Sequence, residues 1–437
     1  MVIPQVAQVR QTAPQPVISD VATEARRCWV ESRVAGRIRR GMRVAVGVGS
    51  RGIANLAPLV RATLDAVRDL GAQPFIVAAM GSHGGATAAG QRDLLGEYGI
   101  SEQALGVTVK TDMTAMQIGT NSWGEPVWWD RNALEADAVL TVSRVKPHTD
   151  FRGPIESGIV KMLVIGLGKR DGASQHHRWG MRGLRDMIPE TAKVILGKTP
   201  FLGGLAVLEN AHEQTARLQV VAADELLVVE PQLLDEARRL MARLPFDHLD
   251  LLVIGEAGKN YSGAGIDPNV IGRLLIEGAP EPDSPRITRI CLLDLSPESH
   301  GNGTGVGLAD LTTERYLAAI DPVPFRMNNL TACFLWRSKL PIAFPTDREC
   351  IEAGVATCWQ PDFGAIRMAV IPNTLELTDL WVSQPLVEEA LTKPHLEVVG
   401  RGCLRSLSFD AAGNLPQEEL FRNALCGRRG RDPQKHH

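Results

Sequence analysis

From Arg43 onward, short apolar runs alternate with stretches whose apolar residues recur at helical spacing. RVAVGV (43–48), PFIVAAM (74–80), AVLTV (138–142) and LAVLEN (205–210) read as buried strands. Asn55–Leu70, Thr87–Tyr98 and Leu226–Leu244 read as amphipathic helices between and after them. Strands that are apolar on both faces, separated by helices, predict βαβ units and a mainly parallel sheet covered by helices on both sides. After Pro245 the pattern restarts with DLLVIGEAG (250–258), then ITRICLLDL (287–295) and IRMAVI (366–371). The expected fold class is therefore α/β, as two such domains, 1–245 and 246–437, with a C-terminal extension from about residue 385. A small-ligand site is expected in the cleft between them. The first 20 or so residues hold three prolines and little periodicity, which predicts a loose arm. EGAPEPDSP (277–285) predicts a surface loop.

Length supports this division, because 437 residues suit two or three domains with ample core. Hydrophobic residues at 44% and charged residues at 22% are those of a globular chain, not a disordered, collagenous or coiled-coil one. With 47 basic against 50 acidic residues, nothing in the balance draws the chain to nucleic acid. The segment from Arg422 carries five basic residues and one acidic, which reads as a solvated end. No apolar run approaches membrane-spanning length, and the N-terminus lacks the pattern of a signal peptide, so a cytoplasmic protein is expected. The seven cysteines are scattered without a C-x-x-C pair, which predicts reduced thiols and no zinc ribbon or iron–sulfur cluster.

Candidate chemistry begins at the first strand tip. Gly47-Val48-Gly49-Ser50-Arg51-Gly52 matches G-x-G-x-x-G, whose glycines let a backbone approach a pyrophosphate. A dinucleotide fold then needs an acidic residue at the next strand tip. That tip reads Met80-Gly81-Ser82-His83-Gly84-Gly85, with no carboxylate. The turn is better read as an anion contact, with Gly49 and Ser50 near a cofactor and Arg51 facing a carboxylate.

His83 and His148 also follow strands directly, and ligands in open α/β sheets bind outside the carboxyl ends of strands. Two imidazoles can each give or take a proton near neutral pH, and a guanidinium can clamp a carboxylate bidentately. That set suits a racemase or epimerase of a small acid. Lys161 lies in the apolar run IVKMLVI, where a lysine either snorkels to water or serves as an attachment point. His176 and His177 follow, an adjacent pair with metal-binding capacity. Asp150, Arg152 and Glu156 are read by default as ion-pairing or capping groups. Trp128, Trp129 and Trp179 are read as packing or stacking groups.

In order and spacing, Arg51 in GSRG, His83 in GSHGGAT, His148 in KPHTDF, Lys161 and His176-His177 resemble the nickel-dependent lactate racemase family. The resemblance runs from about Val44 to about Pro372 and is dense over 43–180. It implies a nickel-pincer nucleotide (nickel pyridinium-3,5-bisthiocarboxylic acid mononucleotide) attached to Lys161. It also implies His177 or His176 as nickel ligand, with His177 the better fit by spacing. His83 and His148 match the family's acid/base histidines and Arg51 its substrate-facing arginine. Enzymes that synthesise the cofactor become implied partners, and the implied reaction returns a hydride to either face of a 2-oxo acid.

The second-domain substrate residues have no clean match, and Lys259 and Arg273 are the candidates. The spacing from His148 to Lys161 is also longer than in the lactate enzyme. Asn260, Tyr261, Ser262, Asp267, Asn269 and HGNGTG (300–305) are rich in hydrogen-bonding groups. Such groups suit a polyhydroxy acid, which points to C2 epimerisation of the D-gluconate/D-mannonate type. The alternatives are an NAD-dependent 2-hydroxyacid dehydrogenase built on the glycine turn, and a non-catalytic nucleotide- or metal-binding protein.

Overall fold

The computed structural model describes residues 2–50 and 52–421. The chain divides into two compact units. One runs Gln15–Met241, and the other joins the N-terminal stretch as far as Pro14 to the chain from Ala242 onward. That N-terminal stretch is no loose arm: Val6–Gln11 forms strand β1, antiparallel to β15 (Asp379–Ser383) and to β16 (Leu396–Val398). Val6, Ala7 and Val9 are buried there. The strand is short and bounded by prolines, and its partners lie more than 350 residues away (Val6 opposite Ser383), so no local pattern announces it.

In the Gln15–Met241 unit, six strands line up in the order β4 (Val109–Lys110), β3 (Gln73–Ala78), β2 (Arg43–Val48), β7 (Ala138–Arg144), β8 (Phe201–Glu209) and β9 (Thr215–Ala222). All pairings are parallel except β8–β9. A separate antiparallel hairpin joins β5 (Ala115–Thr120) to β6 (Pro126–Asp130). The period of two along each strand separates two cores. Val44, Val46 and Val48 face one cluster with Ile76 and Leu140. Ala45, Val77 and Val139 face the other. Both faces of the sheet are therefore covered, as the unbroken apolar runs require.

The predicted helices are present with nearly the expected bounds. Leu56–Asp69 buries Leu56, Leu59, Val60, Thr63, Leu64 and Val67, one continuous stripe. Ala88–Glu97 starts where Thr87 accepts the N–H of Gly90. Chain order reverses between β2 and β7, which makes their carboxyl ends the switch point where ligands gather in open sheets.

The other unit has eight strands ordered β13 (Ile342–Phe344), β12 (Leu311–Thr313), β11 (Arg286–Leu295), β10 (His248–Ala257), β14 (Met368–Ile371), β15, β1 and β16. It is parallel as far as β14 and antiparallel beyond. The C-terminal extension packs on this sheet, with Trp381 Nε1 donating to Leu420 O and Gln417 Nε2 to Gly255 O. The basic segment from Arg422 lies outside the described residues.

Candidate active site

Three adjacent strand tips build the site. Strands β3, β2 and β7 are neighbours at about 4.8 Å spacing, so the outer two ends are roughly 10 Å apart. Ser50 follows β2, His83 follows β3 and His148 follows β7. Arg51, expected to face the substrate, lies outside the described residues.

The glycine turn after β2 serves packing. A Cβ on Gly47 would press on Thr141, and one on Gly49 would lie 2.8 Å from Met162 Cε. The next helix starts only at Leu56, after Asn55 in a left-handed conformation. A dinucleotide fingerprint would open directly into the helix instead. Met162 belongs to the segment that carries Lys161, so this contact sets the β2 tip directly against that segment.

The Lys161 segment is a short helix, Ile159–Lys161, continued by a π-helical turn, Met162–Gly166. Single π-turns recur at functional sites because they re-aim side chains. Gly81 N–H donates to Gly166 O at 3.0 Å, and a Cβ on Gly166 would lie 2.6 Å from Ala79 O. Gly81 itself has φ +58, which favours glycine. These close approaches lock the segment under the β3 tip. Chain direction then breaks at Lys169, φ +54, and a second helix, Lys169–Arg178, carries the two histidines.

Two buried carboxylates hold these pieces. Glu156 accepts the His148 N–H (2.8 Å) and the Gly153 N–H (3.0 Å), and pairs with Arg238 at 2.7 Å. The expected ion-pairing role of Glu156 thus becomes a scaffold for the histidine loop. Glu230 accepts the N–H groups of Ile159 (2.7 Å) and Val160 (3.1 Å), capping the helix of Lys161. Burial pushes its carboxyl up to about 8, against the pull of those two donors. A Cβ on Gly158 would strike this carboxylate, which explains the glycine there.

Phe151 joins two of the predicted residues. Its ring lies 4.7 Å from the His148 ring, and the Lys161 ammonium stands 5.7 Å from its centroid. His148 Nδ1 accepts the Asp150 N–H at 3.0 Å, and Arg152 donates to the His148 carbonyl at 2.7 Å. Across the sheet, His83 Nδ1 meets Ser50 Oγ at 2.5 Å, while Tyr98 OH donates to the Ser50 carbonyl at 3.0 Å.

The adjacent histidines differ. His176 is buried, with Nδ1 donating to Gly172 O (2.8 Å) and Nε2 accepting from Thr191 Oγ1 (3.1 Å). Burial lowers its pKa to about 4. Both nitrogens of His176, one of the two expected metal ligands, are therefore engaged within the fold. The half-buried His177 makes no hydrogen bond through its ring among the described residues. Its pKa is lowered, first by burial and then by the Lys161 charge, with Asp150 opposing. An imidazole kept toward its neutral form by burial and the Lys161 charge, with no ring hydrogen bond among the described residues, is suited to meet a late first-row metal, so these residues fit the cofactor the resemblance implies. Among the described residues, no group of three or more His, Cys, Asp or Glu side chains is placed to hold a metal ion.

In the other unit, Arg273 donates to Leu308 O (2.9 Å), Asp310 (2.9 Å) and Ile287 O (3.1 Å). Its planar fork braces the start of β11. Lys259 Nζ donates to Gly263 O at 2.5 Å, within its own loop. Asn260 accepts from Ser296 Oγ (2.6 Å), Tyr261 donates to Glu256, and Asn269 donates to Asp267 (2.8 Å), so these polar groups first order the loops after β10 and β11.

Residues 49–185 match the family model of the lactate racemase N-terminal domain. No curated protein sequence matches the chain. Among solved structures, the lactate racemase apoprotein from Thermoanaerobacterium thermosaccharolyticum superposes with a TM-score of 0.51 at 12% identity. The match covers 84% of this chain and 94% of that one, a likeness of fold. No helix among the described residues is long and apolar enough to cross a membrane. Residues 49–185 are thus similar to the lactate racemase N-terminal domain, and the chain shares the fold of a lactate racemase apoprotein.

Proposed function

We propose that this chain is a racemase or epimerase that inverts C2 of a 2-hydroxy acid with a nickel-pincer nucleotide bound at Lys161 and His177. The observation that carries this reading is the half-buried His177 imidazole, whose pKa is lowered by burial and by the Lys161 charge and whose ring makes no hydrogen bond among the described residues. When bound, the nucleotide supplies a reversible hydride acceptor. Lys161 provides the attachment amine and His177 the protein's nickel-binding nitrogen. His83 and His148, at flanking strand tips, handle the hydroxyl proton, and Arg51 binds the carboxylate. Ser50 and Gly49 face the cofactor.

The substrate class we take is a sugar acid of the D-gluconate/D-mannonate type. Lys259, Asn260, Tyr261 and Ser262 lie in the loop after β10, and Asn302 and Thr304 in the segment after β11. Sites rich in such groups discriminate strongly against substrates without hydroxyls.

The test is protein made together with the cofactor-synthesis enzymes, analysed by peptide mass mapping and metal content. The expected result is a nucleotide adduct on Lys161 with bound nickel. His177→Ala should keep the adduct and lose nickel, whereas His176→Ala should keep both and lose thermal stability. Unmodified Lys161 without nickel, under confirmed cofactor production, would sink the proposal and return attention to NAD at the glycine turn. Turnover of lactate but of no aldonate would overturn the substrate class alone.

A further inference from the structure

Helix Pro322–Ala332 reverses the usual arrangement of a surface helix, which turns its apolar stripe to the core and its polar face to water. Here the one buried residue is Asn329, while Val323, Met327 and Leu330 are 60%, 66% and 60% exposed. Asparagines do the anchoring: Asn329 Nδ2 donates to Thr304 Oγ1 at 3.3 Å, and Asn328 Oδ1 accepts from Asn302 at 3.0 Å. Eleven residues are too few for a helix to persist in water on propensity alone, and this one contains two asparagines. Its stability therefore calls for apolar burial that the described residues do not supply.

The apolar surface continues along the chain. The helix packs against the turn Leu335–Ser338, and Leu335, Trp336, Leu340 and Ile342 are between 41% and 67% exposed. Ile342 opens β13, the outermost strand of its sheet, with Pro341 and Pro345 on either side. Prolines at an edge oppose strand addition, so this face is suited to side-chain packing instead. Residues 322–346 contain no acidic side chain. Their charges are Arg326, the buried Arg337, which donates to Leu274 O, and Lys339, whose ammonium lies over the Trp336 ring. An apolar centre depleted of charge, with cations at its margin, is the composition of a protein interface.

We infer that this face is a homodimer interface, in which helix Pro322–Ala332 packs antiparallel on the same helix of a second copy about a two-fold axis at Met327. Val323, Met327 and Leu330 are spaced i, i+4 and i+7, so they form one stripe. A two-fold pairing sets Met327 against its own copy and Val323 against Leu330 on both sides. The stripe is thus self-complementary, as an isologous interface requires. The seven exposed side chains present on the order of 700 Å² of apolar surface, more than the roughly 300–600 Å² of the largest patch on an ordinary monomer. That is close to the about 800 Å² per partner of a standard interface. The chain's own end is no substitute occupant, because RNALCGRRGRDPQKHH after Phe421 offers a single leucine among its charges.

Light scattering on the full chain at micromolar concentration should give twice the 47.4 kDa chain mass. Met327→Glu and Leu330→Glu should each give the single-chain mass with the fold kept, because both side chains are exposed. A two-fold interface carries each substitution twice, so dimerisation should weaken by at least about 100-fold. Leu391→Glu, at a 72% exposed leucine outside this face, should remain dimeric. With Cys333, Cys403 and Cys426 replaced by serine, Met327→Cys should link to its own copy through a short bismaleimide. A monomeric wild-type protein overturns the inference, and so does a dimer that survives both glutamate substitutions. A monomer that sediments with anionic phospholipid vesicles overturns it too, and assigns the face to a membrane surface.

Discussion

Lys169→Met should destabilise the Gln15–Met241 unit by about 3–5 kcal/mol, the usual cost of stripping one partner from a buried ion pair. Lys169 Nζ lies 2.8 Å from Asp130 Oδ2, and neither side chain is exposed. The ammonium also donates to Ala78 O at 2.7 Å, and Asp130 Oδ1 accepts the Ala133 N–H at 2.8 Å. Burial already pushes the Asp130 carboxyl up, and the Lys169 charge is what pulls it back. Without the lysine, Asp130 must either take up a proton or remain charged and unpaired in a dry core. Replacing both groups, as Lys169→Met with Asp130→Leu, should recover most of the loss, since apolar substitutes avoid the desolvation cost. Urea unfolding of the two single variants and the double variant reads the coupling directly. Additive losses, with no recovery in the double variant, would mean that the pair is not a unit. Ala78 ends β3, so Lys169→Met should also loosen the tip that carries His83.

The second expectation concerns pH. Glu230 is fully buried and its carboxyl is pushed up to about 8, from an ordinary value of 4.5 in the open chain. A group whose folded pKa is raised contributes stability fully present below its unfolded value, and loses it as pH rises through the folded value. The contribution therefore declines from about pH 4.5 and is gone above about pH 8, a change of a few kcal/mol across that window. Wild-type Tm should fall between pH 6 and pH 9, and Glu230→Gln should remove most of that slope. At pH 9 the glutamine variant should be the more stable of the two. Parallel Tm profiles for the two proteins would show that Glu230 does not titrate in this window. Because Glu230 caps the helix of Lys161, its ionisation reaches the Lys161 segment through the backbone N–H groups of Ile159 and Val160.

Glu230 left a mark in the sequence. It shares a helical stripe with Leu226, Leu233, Leu234 and Ala237, and a carboxylate on a buried stripe needs an explanation. Glu156 left no such mark, because it sits in an aperiodic loop and its partner Arg238 is 82 residues away. Lys169 was equally silent: GLGKRD gives no sign that this lysine turns inward to Asp130.

The strands β2, β3, β7 and β10, the helix Leu56–Asp69 and the placement of His83 and His148 at strand ends followed from the sequence alone. They depend on local periodicity, because a strand buried on both faces must be apolar throughout and its chemistry must collect at its ends. The order of Arg51, His83, His148, Lys161 and His176-His177 was likewise a linear property. What only the tertiary structure decided were pairings between distant residues: β1 with β15, Glu230 under the Lys161 helix, and Lys169 with Asp130. It also separated His176 from His177, since the partners of an imidazole are set by what packs around it. Hydrogen bonds and ion pairs of this kind depend on atoms brought together by the fold, and a one-dimensional pattern carries no term for them.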